Sequence, residues 1–500
     1  MSTEPTPPPP TASAEPAEAE ATPQPNPLSE PAAYHGELSL ERVVDPMQIR
    51  PVENGSVLLI VIDALNAKHL GAYGYERPTS PHIDELARDG LVLTNYFSTS
   101  SWTRPSFASI VTGLPKRDHK MELNCPPLDE EFETLAERFS EAGFATAGFV
   151  GNPLVRAKWG FGQGYDLYVD AEYLDDYGLA DDPDLARRAA KWIREHADEP
   201  FFALVFFTAP HCPYNPPRGY RRFFKGLPPG HIIGIPKREY PRGMKRGDRL
   251  KTIAAYDGDV LFADAQVGKL IAALEKNALL ERTHVIVTAD HGEMFGEHNC
   301  FMHGYHMWDP VLRVPFVVES PSLPGGGIYD DRPYSHLDLI PTLLDLAGID
   351  PDPELPGESI VEALGDPHSL RERVLFSQHN AHEVRREAIR KGRYKLVHHH
   401  PVSPDNHERL NDLHPSRPVP DPEDLPTVAW DEERYELYDM AADPGELRNL
   451  FEQRKTAPET AELIGELAER LEGDDEVSME VDDDLRQALE ALGYYAPTAD

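Results

Sequence analysis

Three apolar runs that each end in polar chemistry constrain this chain most. Val57-Leu58-Leu59-Ile60-Val61-Ile62 ends in Asp63. Phe201-Phe202-Ala203-Leu204-Val205-Phe206-Phe207 runs into Pro210-His211. His284-Val285-Ile286-Val287-Thr288-Ala289 ends in Asp290-His291. Short continuous runs of β-branched and aromatic residues read as strands buried on both faces, the pattern of parallel sheets. Ala145–Val150 and Val314–Glu319 read as further strands. Helical segments alternate with them: Phe132–Ala142, Asp184–Ala197, Ala254–Lys276, and Leu337–Ala347 capped near Ser335 and stopped at Gly348. Such alternation predicts an α/β fold, a mostly parallel sheet sandwiched by helices. Ligands of such sheets bind beyond the carboxyl ends of the strands.

A second segment supplies a hydroxyl to that edge. Ser101-Trp102-Thr103-Arg104-Pro105-Ser106-Phe107 continues through small residues to Thr112-Gly113. Pro105 suits a first helical position, and the amides that follow would face an anion with the helix dipole behind them. Asp63, Asp290, His291 and the Thr103 hydroxyl then form a hard, oxygen-rich set with one nitrogen, suited to a divalent metal.

After about residue 370 the pattern changes to short strands, near Arg393–His398 and Arg434–Tyr438, and a last helix near Pro458–Leu471. This predicts a small C-terminal antiparallel α+β subdomain. Domain boundaries are expected at 1–50 (a Pro/Ala/Glu-rich leader read as disordered), 51–370 (the catalytic α/β domain) and 371–500 (the subdomain and tail). The formal net charge of −38 argues against nucleic acid as a partner, because phosphate backbones need a basic face. No apolar stretch approaches a membrane span, and no secretory signal is visible. As written the sequence points to the cytoplasm, or to export if a signal has been trimmed. Cys125, Cys212 and Cys300 have no framework spacing and read as buried free thiols. Lys225, Lys237, Arg238, Arg242, Lys245, Arg246 and Arg249 make a positive island after His211 that could steer an anionic substrate. His398-His399-His400 lies far from Thr103 in the sequence and reads as a surface strand or loop, not a metal site.

Taken together these segments resemble the sulfatase family of the alkaline phosphatase superfamily. That family carries Cys-x-Pro-Ser-Arg followed by Thr-Gly. Here the run is Thr103-Arg104-Pro105-Ser106-Phe107, with Thr112-Gly113 following. Thr79-Ser80-Pro81-His82, Pro210-His211-Cys212-Pro213, Asp290-His291-Gly292-Glu293, Arg313-Val314-Pro315, Asp338-Leu339-Ile340-Pro341-Thr342 and Glu436-Leu437-Tyr438-Asp439 add to the likeness, which spans roughly residues 55–455.

The resemblance implies an alkaline-phosphatase-like fold and one divalent metal ion (calcium, manganese, zinc or magnesium) on Asp63, Thr103, Asp290 and His291. It implies Thr103, His211 and His303 as catalytic residues, and His211, His303, Arg104 and Asn152 as substrate contacts. His298 and His306 are expected close by, and Asp264, Asp338 and His336 as helix caps and scaffold. Family members use a cysteine oxidised to formylglycine where Thr103 stands, an arginine where Phe107 stands and a second acid where Ala64 stands. A threonine nucleophile points instead to phosphoryl chemistry through a phospho-threonine intermediate. The expected activity is metal-dependent hydrolysis of phosphate-type esters, phosphodiesters or phosphonate monoesters, on a small-molecule, glycan or lipid anionic substrate. The alternatives are a sulfuric ester hydrolase of arylsulfatase type, a phospho-group transferase, and a non-catalytic binding protein.

Overall fold

A computed structural model describes residues 52–472 apart from 53–54, 123–124, 171–181, 233–245, 324–326, 351, 365, 367–369, 371, 382–383 and 405–430. The leader at 1–50, the tail at 473–500 and the island residues Lys237, Arg238, Arg242 and Lys245 lie outside the described residues.

The central strands are β1 (Ser56–Ile62), β2 (Leu91–Phe97), β3 (Ala145–Val150), β4 (Leu167–Val169), β5 (Phe201–Phe207) and β6 (Thr283–Thr288). The two-residue strands β7 (Met294–Phe295) and β8 (Phe301–Met302) form a hairpin of their own. β9 (Arg313–Glu319), β10 (Ile328–Asp330) and β11 (Tyr334–Ser335) complete the set. The large sheet has the order β10-β2-β9-β6-β1-β5-β3-β4, with β11 on β2. All pairings are parallel except those of β9, which runs against both β2 and β6. Every residue of β1, β5 and β6 is buried, because helices cover both faces. The carboxyl ends of β1, β2, β3, β5 and β6 therefore open on one edge of the sheet.

The helices begin and end for local reasons. The expected Phe132–Ala142 helix starts later, at Leu135, where Thr134 and Glu137 form a reciprocal capping box. The long helix reaches further back than Ala254, over Arg246–Lys276 among the described residues. α1 (Pro81–Asp89) receives its cap from Asp264, which accepts from the His82 and Ile83 amides. α2 (Thr103–Thr112) begins at Thr103 itself. Pro105 is thus its third residue, not its first, still within the turn whose amides have no helical acceptor. Gly113 closes α2 with a φ of 71°, a left-handed conformation that glycine adopts without strain.

β12 (Val374–Ala381), β13 (Val384–Lys391), β14 (Tyr394–His399) and β15 (Arg434–Asp439) form an antiparallel sheet in sequence order. One face packs Ile389, Leu396 and Leu437 on Leu463 and Leu467 of the helix Pro458–Leu471. The other packs Leu375, Ala388 and Val397 on Phe97, Trp308 and Val311 of the large domain.

α2 is tied down from the side by His119. Its Nε2 lies 3.2 Å from Ser109 Oγ, and its Nδ1 accepts from the Met121 amide. Burial, then the neighbouring Lys116, lowers its pKa to about 3. The neutral ring's contribution is complete above the unfolded pKa near 6.5 and is lost as pH falls toward 3. Between pH 7 and pH 5 this group alone should cost about 2 kcal/mol of stability. Urea titrations should show a smaller loss over that interval in His119→Gln. An identical loss in both proteins would contradict this assignment.

Candidate active site

Asp63 follows the last residue of β1 and is fully buried. Its Oδ2 accepts from Asn152 Nδ2 at 2.7 Å, while its buried Oδ1 has no hydrogen-bond partner. Asp290 stands two residues beyond β6. Its Oδ1 accepts from the Ala64 and His291 amides at 3.1 and 2.8 Å, and its buried Oδ2 also lacks a partner. Ala64 holds a φ of 56°, which costs a non-glycine residue roughly 1–2 kcal/mol. The Asp290 contact and a 2.7 Å bond from Tyr256 Oη to the Ala64 carbonyl hold it there.

His291 Nδ1 lies 3.0 Å from the Gly292 carbonyl, so Nδ1 carries the proton and Nε2 presents its lone pair. Around Nε2 lie Thr103 Oγ1 at 3.3 Å, Asp290 Oδ2 at 3.4 Å and Asp63 Oδ1 at 3.7 Å. Burial lowers the His291 pKa well below its usual value, keeping the ring neutral. Burial, and then the Asp290 charge, raises that of Asp63. Burial likewise raises Asp290. Two buried carboxylate oxygens left without donors, beside a neutral imidazole and a hydroxyl, fit a divalent cation.

A row of rings flanks this cluster. The His303 ring is 4.2 Å from His291 and 4.9 Å from His211. His303 Nδ1 donates to Glu293 Oε1 at 3.0 Å, and Tyr214 Oη donates to Glu293 Oε2 at 2.7 Å. Glu293 therefore fixes the His303 tautomer, with Nε2 left over. Sequence reasoning quoted Glu293 only as the end of a motif. Its signal lay in two polar residues, Tyr214 and Glu293, each following a site histidine. His211 Nδ1 bonds the Cys212 carbonyl, and burial, then His303, lowers its pKa to about 3.

The remaining expected residues are placed as follows. Asn152 bonds Asp63 through its amide and receives the Leu154 amide on Oδ1, so both ends of its side chain are engaged within the protein. Arg104 is buried, its guanidinium 4.3 Å from the Trp159 ring. Phe107 stacks on Phe206 of β5 at 5.1 Å, a core position. His298 and His306 stack on Trp308 at 3.9 and 4.3 Å. Of the described island residues, Lys225 and Arg246 are exposed, and Arg249 bonds the Phe295 carbonyl. Cys125, Cys212 and Cys300 are buried, and none of the three is in a disulfide.

The histidine run corrects its expectation. His398 and His399 are buried, because β14 is an inner strand flanked by β13 and β15. Glu387, His398 and His400 place ligand atoms within 4.8 Å of one another, as Asp63, Asp290 and His291 do.

Comparison with known proteins agrees with this layout. Residues 56–349 match the sulfatase family, and residues 296–426 match the C-terminal family of N-sulphoglucosamine sulphohydrolase. An uncharacterized sulfatase of Escherichia coli (strain K12) is 27% identical over 382 residues, covering 66% of this chain and 74% of that protein. Human N-sulphoglucosamine sulphohydrolase is 28% identical over 455 residues, covering 80% and 86%. Among solved structures, the phosphonate monoester hydrolase of Agrobacterium radiobacter superposes with a TM-score of 0.65 at 22% identity, covering 86% of this chain and 98% of that one. A structure in complex with D-glucosamine-2-N,6-O-disulfate superposes with a TM-score of 0.67 at 19% identity, covering 84% and 98%. Those two likenesses speak to the fold. Among the described residues no helix is long and apolar enough to cross a membrane. With its match covering more than half of the sequence and its polar cluster at the carboxyl edge of the sheet, the chain belongs to the sulfatase family of the alkaline phosphatase superfamily and is a hydrolase of ester bonds.

Proposed function

We propose that this protein hydrolyses phosphate-type esters, phosphodiesters or phosphonate monoesters, with Thr103 as nucleophile. The observation that carries the reading is the Thr103 hydroxyl at the start of α2, 3.3 Å from His291 Nε2. Threonine there cannot become a formylglycine hydrate, whose second hydroxyl lets a family member expel sulfate by elimination.

The Thr103 oxygen attacks phosphorus in line, and its proton passes to the Asp290 carboxylate, whose Oδ2 lies with it around His291 Nε2. The amides of the first turn of α2 and its dipole receive the non-bridging oxygens. His303 enters the step with a proton on each ring nitrogen, Nδ1–H held by Glu293 Oε1; its Nε2 proton passes to the leaving oxygen as that bond breaks, which leaves the ring neutral. The neutral His303 then takes a proton from the water that attacks phospho-Thr103, Asp290 returns its proton to the Thr103 oxygen as the O–P bond breaks, and His211 stands beside His303 as a substrate contact. A divalent cation held by Asp63, Asp290, His291 and Thr103 would lower the hydroxyl's pKa and offset the charge that develops on the transferred group. Asn152 acts on Asp63 as a positioning residue.

Sulfuric ester hydrolysis is the second reading, favoured by the match of residues 296–426 to a sulphohydrolase C-terminal family. A panel of aryl sulfate, phosphate monoester, phosphodiester and phosphonate monoester, each with several metals, separates the two. A phosphodiester or phosphonate should lead in kcat/KM, because a phosphoryl group carries more charge and depends more on cationic donors. Multiple-turnover aryl sulfate cleavage faster than every phosphorus ester would overturn the proposal.

A further inference from the structure

The C-terminal sheet carries a second convergence of ligand types that the ester chemistry does not use. Glu387 on β13 is the cross-strand partner of His398 on β14, and Tyr435 on β15 is the partner on the other side. His400 lies two residues beyond His398, which on an extended chain returns the side chain to the same face. Register alone thus places a carboxylate and two imidazoles in one patch.

Glu387 Oε2 lies 3.0 Å from His398 Nδ1 and 2.9 Å from His400 Nε2. Two ligand atoms each about 2.0–2.1 Å from a tetrahedral zinc ion stand about 3.3 Å apart, so a few tenths of an ångström would admit the ion. The outer contacts already orient the donors. Arg385 Nε bonds Glu387 Oε1 at 2.9 Å, leaving Oε2 as the oxygen that faces both rings. His398 Nε2 bonds Glu433 Oε1 at 2.8 Å, and Tyr435 Oη bonds the same oxygen at 3.0 Å. The His398 ring is also stacked on Tyr435 at 4.6 Å. A ligating imidazole whose other nitrogen is held by a carboxylate is the usual support of a zinc ligand. Glu387 and His398 are buried and His400 is part-exposed, which leaves one side for a water ligand and for entry.

We propose that Glu387, His398 and His400 form a second metal site, for a zinc-class divalent cation, sharing no ligand with the Asp63–Asp290–His291 cluster. Two imidazoles and one carboxylate suit zinc better than calcium or magnesium, which prefer oxygen ligands. The ion would join the end of β14 to β13. His400 follows the last residue of β14, and Glu433 precedes the first residue of β15, so the site sits where the chain leaves and re-enters the sheet. Its role is structural, and it stands whether or not Thr103 is the nucleophile.

The test uses the full chain, stripped by chelator and titrated with zinc, with bound ions counted by elemental analysis. Asp290→Asn should still bind one zinc per chain, and zinc should raise its Tm. His400→Ala, at the part-exposed strand end, should bind one ion fewer than the parent protein and keep its far-UV circular dichroism. Glu387→Gln should weaken the same ion by at least about tenfold. The proposal is overturned if His400→Ala binds as many zinc ions as the parent, or if Asp290→Asn binds none while remaining folded.

Discussion

Replacing Thr103 with alanine should lower kcat/KM on the best phosphorus ester by about 10⁴-fold or more, the scale seen when a nucleophile is removed. That corresponds to about 5.4 kcal/mol of transition-state stabilisation at 1.36 kcal/mol per decade. The cost in stability should be far smaller. Thr103 is fully buried, not exposed as a solvent-facing nucleophile would be, so deletion removes a hydrogen bond worth about 1 kcal/mol. The helix itself persists, because its hydrogen bonds and its Gly113 stop do not involve the side chain. A circular dichroism spectrum and urea midpoint near those of the parent, with turnover lost, is the expected pair of results. Activity above a few per cent of the parent would show that another group attacks.

The second large effect concerns the cluster's charge. Asp290→Asn should abolish divalent-metal binding at this site and turnover with it, and Asp63→Asn should do the same. The effect on the metal-free protein should have the opposite sign. Asp63 and Asp290 are both fully buried and repel one another, which helps raise the Asp63 pKa. An asparagine at 290 keeps an oxygen for the Ala64 and His291 amides and brings an amide toward the His291 Nε2 lone pair. Metal-free Asp290→Asn should therefore melt at or above the metal-free parent at neutral pH. Metal should raise the parent's Tm and leave no trace of this site in the variant. Elemental analysis counts the ions, and differential scanning calorimetry reads the stability. A variant that binds as many ions as the parent, or a metal-free variant several degrees less stable, would remove the basis for this reading.

What the sequence disclosed follows from where burial is simple. β1, β5 and β6 are covered by helices on both faces, so they are apolar from end to end and stand out in any reading. The strand ends then place Asp63, His211, Asp290 and His291 at one edge through topology alone. β12 and β13 were hidden for the opposite reason. Ser377, Gln378 and His379 of β12 and Arg386 and Glu387 of β13 are buried, so polar residues occupy interior positions and the alternation is blurred. The first turns of the long helix, over Arg246–Ile253, were also hard to read. Gly247 looks like a breaker, yet a Cβ there would strike the Pro229 carbonyl at 2.1 Å, so close backbone contact requires glycine. Glu293 gained its role only through a 3.0 Å approach to His303, ten positions away. The His398–His400 run could be judged only once register set Glu387 opposite it.

The measurement that bears most directly on the central claim is an acid quench of the enzyme during steady-state turnover of its best phosphorus ester, followed by peptide mass spectrometry. The account predicts a phosphoryl or phosphonyl adduct on Thr103, present in the parent and absent in Thr103→Ala. Rapid turnover with Thr103 unmodified at every quench time, or an adduct on any other residue, would contradict it.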